Sequence, residues 1–140
     1  SGTPFILTPS STNTIIYGHN MKNASMFSSL LKYKDIEFWK THRYIIFNTL
    51  TSKGIYKISI VANEIVYYDE AKIPDGAYLF YKHSNLDSKG DFDEYVNELK
   101  KNSYFDSNIS LEYGDELLTL VTCDYVQENS RLVVVAKKIN

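Results

Sequence analysis

Two segments near the C-terminus set the tightest limit on what this chain can fold into. Glu116 to Thr122 and Arg131 to Lys138 are apolar and β-branched, and the polar stretch Asp124 to Ser130 lies between them, so both read as strands joined by a loop. Upstream, Thr3 to Leu7 and Thr14 to Tyr17 are short apolar runs, the first closed by Pro9 and Ser10-Ser11-Thr12-Asn13 and the second by Gly18, the punctuation of two further strands. Tyr44 to Thr49 is β-branched and aromatic. After Thr51-Ser52-Lys53-Gly54, the residues Tyr56, Ile58, Ile60 and Ala62 alternate with Lys57, Ser59, Val61 and Asn63, which predicts a hairpin. Ala77 to Tyr81 has strand-like composition after the breaks at Pro74 and Gly76.

Helical spacing occurs twice. From Ser25 onward, Met26, Phe27, Leu30, Leu31 and Tyr33 recur at helical offsets, and Asp35 is placed to cap a further turn carrying Phe38 and Trp39. Asp91 followed by Glu94 resembles a capping box, ahead of the apolar stripe Phe92, Tyr95, Val96 and Leu99. Hairpin-linked strands interrupted by helices predict a mainly β fold with helical insertions, a mostly antiparallel sheet or barrel rather than an alternating βαβ fold. The 140 residues suffice for one domain, 1–140, whose core needs no disulfide or metal; no repeat or low-complexity tract divides it.

Charge narrows the partners. With 15 Lys and Arg against 17 Asp and Glu, the net charge is -2, so there is no basic field for nucleic acid or anionic lipid. The longest apolar run, Leu132 to Ala136, is far short of the roughly 20 residues that cross a bilayer. Ser1 in place of Met points to a trimmed or processed start, where an upstream signal or anchor would not show. A single cysteine, Cys123, rules out an internal disulfide framework and a multi-thiolate metal site but leaves one nucleophile.

Cys123 closes one C-terminal strand candidate and Arg131 opens the next, almost symmetrically about the loop. Antiparallel pairing would put both at the same end of the sheet, a thiol beside a guanidinium. A fixed positive charge lowers a thiol pKa and binds a developing oxyanion. His19 directly follows Gly18 at the end of another strand candidate, a position from which scaffolds present functional groups. Thiol, imidazole and cation are the minimum set for acyl transfer. Spacing alone leaves blander alternatives open: a buried apolar cysteine, a solvated arginine and a turn histidine. His42 and His83 read as surface residues, and three scattered histidines with one cysteine match no zinc pattern. The 12 tyrosines suit either an aromatic-walled peptide groove or ordinary half-buried strands.

Beyond spacing, three stretches resemble sortases. Thr119-Leu120-Val121-Thr122-Cys123 is similar to the T-L-x-T-C signature, Arg131-Leu132-Val133-Val134-Val135-Ala136-Lys137 to the strand carrying the family arginine, and Asn13-Thr14-Ile15-Ile16-Tyr17-Gly18-His19-Asn20-Met21 to the strand leading to the family histidine. The Gly-His-Asn-Met form and a helix over Phe92 to Phe105 ahead of the cysteine strand resemble class B rather than class A. The resemblance implies an eight-stranded β-barrel. It also implies that the family's N-terminal helices and first strands are missing ahead of Gly2-Thr3-Pro4-Phe5, and the connection from Leu7 to Thr14 is shorter than the family's.

The function implied is a cysteine transpeptidase at the extracellular face of the Gram-positive membrane and cell wall, anchored in its full-length form by an N-terminal segment. Such enzymes cut a C-terminal sorting signal after threonine, often of the Asn-Pro-x-Thr type in class B, hold the surface protein as a thioester and pass it to an amine of a peptidoglycan precursor. Carried over by resemblance, Cys123 is the nucleophile, His19 the general acid and base, and Arg131 the oxyanion or substrate clamp. Thr122 borders the substrate, Asn20 flanks the histidine and Ser103 contacts the peptide. No cofactor is implied. Two alternatives stand beside this reading: a pilin-polymerising member with a lysine acceptor, and an inactive truncated barrel that only binds peptide or self-associates. A papain-like peptidase fits poorly, because its nucleophile sits on a helix.

Overall fold

The computed structural model describes residues 5–8, 12–18, 29–48, 53–124 and 126–140. His19, Asn20 and the start of the first helical pattern, Met26 and Phe27, lie outside the described residues. The described residues hold six strands: β1 (Phe5–Thr8), β2 (Asn13–Gly18), β3 (Tyr44–Asn48), β4 (Lys53–Ile65), β5 (Leu117–Cys123) and β6 (Ser130–Lys138). They form one sheet in the order β1-β2-β5-β6-β4-β3. Every pairing is antiparallel except β2 with β5, which run parallel. The fold is therefore mainly β with helical insertions.

The central strands are covered on both faces, which is why β5 and β6 read as nearly continuous apolar runs. Along β6, Val133 and Val135 pack into one cluster with Phe92, Tyr95, Val96 and Leu99. Leu132, Val134 and Ala136 pack into a second with Leu30, Tyr33 and Trp39. The first cluster is capped by α2 (Lys89–Lys101) and the second by a 3-10 turn (Leu30–Lys34) followed by α1 (Ile36–Thr41). Asp35 caps α1, accepting from the Glu37 N–H at 2.9 Å, and the Trp39 indole donates to the Ile58 carbonyl at 3.1 Å.

Three local expectations are corrected. The apolar stripe of α2 is buried, but its cap is Ser88, whose hydroxyl accepts from the Asp91 N–H at 3.1 Å. The helix thus starts earlier than the Asp91–Glu94 pattern suggests, and Asp91 sits in its first turn where the helix dipole favours a carboxylate. Ala77 to Tyr81 is not a strand. It is irregular chain running into a 3-10 turn, Phe80–Lys82, because Phe80 inserts fully buried into the first cluster. Third, Tyr56, Ile58, Ile60 and Ala62 do not share one face. A bulge between Ile58 and Ile60 switches the alternation, so Tyr56 and Ile58 face the second cluster and Ile60 and Ala62 the first. Ser59, at the bulge, donates its hydroxyl to the Ile109 carbonyl and accepts from Ser107 on its own carbonyl.

A polar chain crosses the first cluster. Asn13 Nδ2 donates to the His83 carbonyl at 2.9 Å, and the Thr119 hydroxyl donates to Asn13 Oδ1 at 2.9 Å. With the Thr119 proton committed, the Tyr95 hydroxyl is the donor in its 2.8 Å contact with Thr119 Oγ1. Tyr95 is fully buried. Tyr95→Phe is expected to lower stability by about 1–2 kcal/mol, because it leaves a buried acceptor unpaired; urea unfolding of the two proteins measures it.

Candidate active site

Antiparallel register settles where the cysteine and the arginine meet. Cys123, the last residue of β5, is the register partner of Arg131 near the start of β6. Alternation puts both on the face of Val121 and Val133. On the other side of β5, the parallel strand β2 ends at Gly18, level with Thr122. On the other side of β6, Arg131 is level with Glu64 of β4. Cys123, Arg131 and Glu64 therefore form a row across three adjacent strands, and it is the bulge at Ser59 that brings Glu64 to that face.

Cys123 and Arg131 line a cavity of about 380 Å³ with Tyr17, Gly18, Val66, Tyr67, Tyr68, Tyr81, Val121 and Thr122. Four phenols thus surround one thiol and one guanidinium. Burial pushes the Tyr17 phenol well above its ordinary pKa, with Tyr68 adding to the shift and Arg131 opposing it, so Tyr17 stays protonated at neutral pH. The Tyr81 hydroxyl accepts from the Tyr67 N–H at 3.3 Å, which ties two parts of the wall together. Cys123 is a free, half-buried thiol. Thr122 is buried, and its hydroxyl has no partner among the described residues.

Ser103 is not brought to this cavity. After α2 the chain turns so that Ser103 bridges to Ala62, and it lines a separate cavity with Ser59, Lys100 and Phe105. Of the other histidines, His42 stacks on Phe38 and His83 on Tyr78. Among the described residues no three His, Cys, Asp or Glu side chains converge as metal ligands, and no helix is long and apolar enough to cross a membrane.

Two acidic residues next to Cys123 and Arg131, neither of them lining the cavity, escaped the sequence reading. Asp124, next to Cys123, is buried and accepts from Lys34 Nζ at 2.7 Å, from the Tyr104 hydroxyl at 3.3 Å and from Asn63 Nδ2 at 3.4 Å. Its own N–H reaches the Ser130 carbonyl at 3.1 Å, closing the loop between β5 and β6. Glu64 accepts from Asn102 Nδ2 at 2.8 Å. Burial pushes its carboxyl up to about 6; the Asn102 hydrogen bond opposes the shift and Glu98 adds to it.

A carboxyl raised from 4.5 to about 6 is protonated in both the folded and unfolded states below pH 4.5. As pH rises through that window the unfolded chain ionises first, so Glu64 destabilises the fold increasingly and fully so above about pH 6. With allowance for its partial exposure, Glu64→Gln is expected to gain about 1 kcal/mol at pH 7.5 and nothing at pH 4. Thermal or urea unfolding at the two pH values tests the sign.

The sortase domain model matches residues 6–139 of the chain. Sortase B of Listeria monocytogenes is 34% identical over 134 residues, covering 91% of this chain and 48% of that protein. The chain thus spans about half the length of this curated relative. The structure of Clostridium perfringens sortase B superposes with a TM-score of 0.72 at 31% identity, covering 94% of this chain and 67% of that one. The Staphylococcus aureus sortase B–substrate complex superposes with a TM-score of 0.73 at 26% identity, covering 99% and 62%. With the thiol and guanidinium paired at one end of such a sheet, these matches show that the chain belongs to the sortase family, on the side of its B-type members.

Proposed function

We propose that residues 1–140 belong to the catalytic domain of a B-type sortase, a cysteine transpeptidase that cleaves a sorting signal after threonine and transfers the surface protein to a cell-wall amine. The observation that carries this reading is the register of Cys123 with Arg131 at a cavity walled by tyrosines. Aromatic walls suit an extended peptide, whose apolar side chains they cover while their hydroxyls meet its amides.

In this mechanism the Cys123 thiolate attacks the threonine carbonyl carbon, and Arg131 stabilises the oxyanion that forms. His19, as imidazolium, protonates the departing amine as the C–N bond breaks, leaving a thioester. The acceptor amine attacks that thioester, His19 takes its proton, and the C–S bond breaks to return the thiolate. Thr122 and Asn20 border the bound signal. Arg131 suits its role because a guanidinium presents a rigid fork of donors.

The S. aureus relative is known as a substrate complex, and a sortase B structure that superposes equally well on this chain is complexed with triglycine. These two complexes support a sorting-signal peptide as donor and a glycine amine as acceptor. The site would work at the extracellular face of a Gram-positive membrane. Among the described residues β1 and β3 are the edge strands of the sheet, and Tyr44 and Ile46 of β3 are 54% and 66% exposed. We assign these edges to the closure of an eight-stranded barrel by further strands; pairing of two such edges between copies is the competing use.

Intact-mass analysis with a panel of sorting-signal peptides and hydroxylamine tests the chemistry. Threonine hydroxamate is expected with the wild-type chain and none with Cys123→Ala, which keeps its thermal midpoint; product from the alanine variant would remove Cys123 as nucleophile. Arg131→Lys keeps the charge but loses the fork, so turnover is expected to fall by at least about tenfold. Near-normal turnover would take Arg131 out of the mechanism.

A further inference from the structure

Among the described residues the Arg131 guanidinium has two hydrogen-bond partners. Nη1 donates to the Ser130 carbonyl at 2.9 Å, and Nη2 donates to the Tyr68 hydroxyl at 2.6 Å. The guanidinium carbon also lies 5.7 Å from the centre of the Tyr68 ring. Among the described residues no ion pair involves Arg131. Glu64, level with it on the neighbouring strand, is turned to Asn102 instead.

We propose that Tyr68 is a positioning residue for Arg131, an uncharged acceptor that fixes the guanidinium at the cavity wall beside Cys123 without neutralising it. The proposal extends the reading of Arg131 as the cation of the site and rests on it. An arginine can be held firmly by a carboxylate, but that partner cancels the field the arginine would exert on a thiolate or an oxyanion. A phenol offers acceptor lone pairs at no net charge. The described residues lining this cavity include one cation and no anion, and burial raises the Tyr17 phenol beside it further above its ordinary pKa.

Exposure points the same way. Tyr68 is 72% exposed, so its ring contributes little to the core. It follows β4 and precedes a 3-10 turn (Glu70–Lys72), on a different element from Arg131. The contact therefore links the exit of β4 to the start of β6, two elements that also meet through the Glu64 and Arg131 register.

The test compares alkylation of Cys123 by iodoacetate, an anion, with alkylation by iodoacetamide, which is neutral. The ratio of the two rates reports the positive charge held near the sulfur. Loss of a unit charge roughly 6 Å away in a water-like dielectric lowers the ratio about threefold, the change expected in Arg131→Ala. Tyr68→Phe keeps the ring and loses the acceptor, so the ratio is expected to fall about halfway. Tyr68→Glu supplies an anionic partner in the same place and is expected to match Arg131→Ala. An unchanged ratio in Tyr68→Phe overturns the positioning role, and an unchanged ratio in Tyr68→Glu overturns the requirement for a neutral partner. No peptide is involved, so a chain that turns over no sorting signal still decides the placement of the charge, and loss of the family chemistry is read separately from the hydroxamate assay.

Discussion

The pairing of β5 with β6 is the interaction on which the rest depends. Seven register partners run from Leu117 with Lys137 to Cys123 with Arg131, and side chains on both faces are buried. A slip of one residue would turn Val133 and Val135 to the wrong side and would part the thiol from the guanidinium in the same motion. The geometry of the site is thus enforced by the burial that holds the domain together. Neither residue needs a contact of its own to find the other.

A sheet buried on both faces must still end somewhere, and the cavity forms at that end. Beyond Val121 and Val133 the covering helix α2 gives way to the chain around Val66, Tyr67, Tyr68 and Tyr81. Tyrosine meets the competing demands there, since its ring continues the apolar layer while its hydroxyl satisfies polar groups at the opening. The described residues of the wall carry no opposing charge, so the field of Arg131 acts on whatever occupies the space in front of Cys123.

Much of this was legible in the sequence, for identifiable reasons. Cys123 and Arg131 could be placed together because they flank one short loop symmetrically, and the stripe from Phe92 to Leu99 marked the buried face of α2 because its period is local. What escaped depended on partners far along the chain. The parallel pairing of β2 with β5 joins Asn13 to Leu117, and no local pattern announces it. The bulge at Ser59 is fixed by Ser107 and Ile109, and Ala77 to Tyr81 is kept out of a sheet by the burial of Phe80. The number of tyrosines hinted at an aromatic wall, but not at which of them would line it.

Asp124 shows why adjacency in sequence is a poor guide to chemistry at this site. It follows Cys123 directly, the position where a search for an acid or base partner to the thiol would begin. Its carboxylate is instead turned to the opposite face, among Lys34, Asn63 and Tyr104, while Asn63 also donates to the Ser130 hydroxyl at 2.6 Å. Removing Lys34 from such a network costs more than the pair contributes, because the buried Asp124 carboxylate is left without its cation. Asp124 therefore anchors both ends of the loop between β5 and β6 from behind, and the groups left facing the thiol across the described cavity are a cation and neutral phenols.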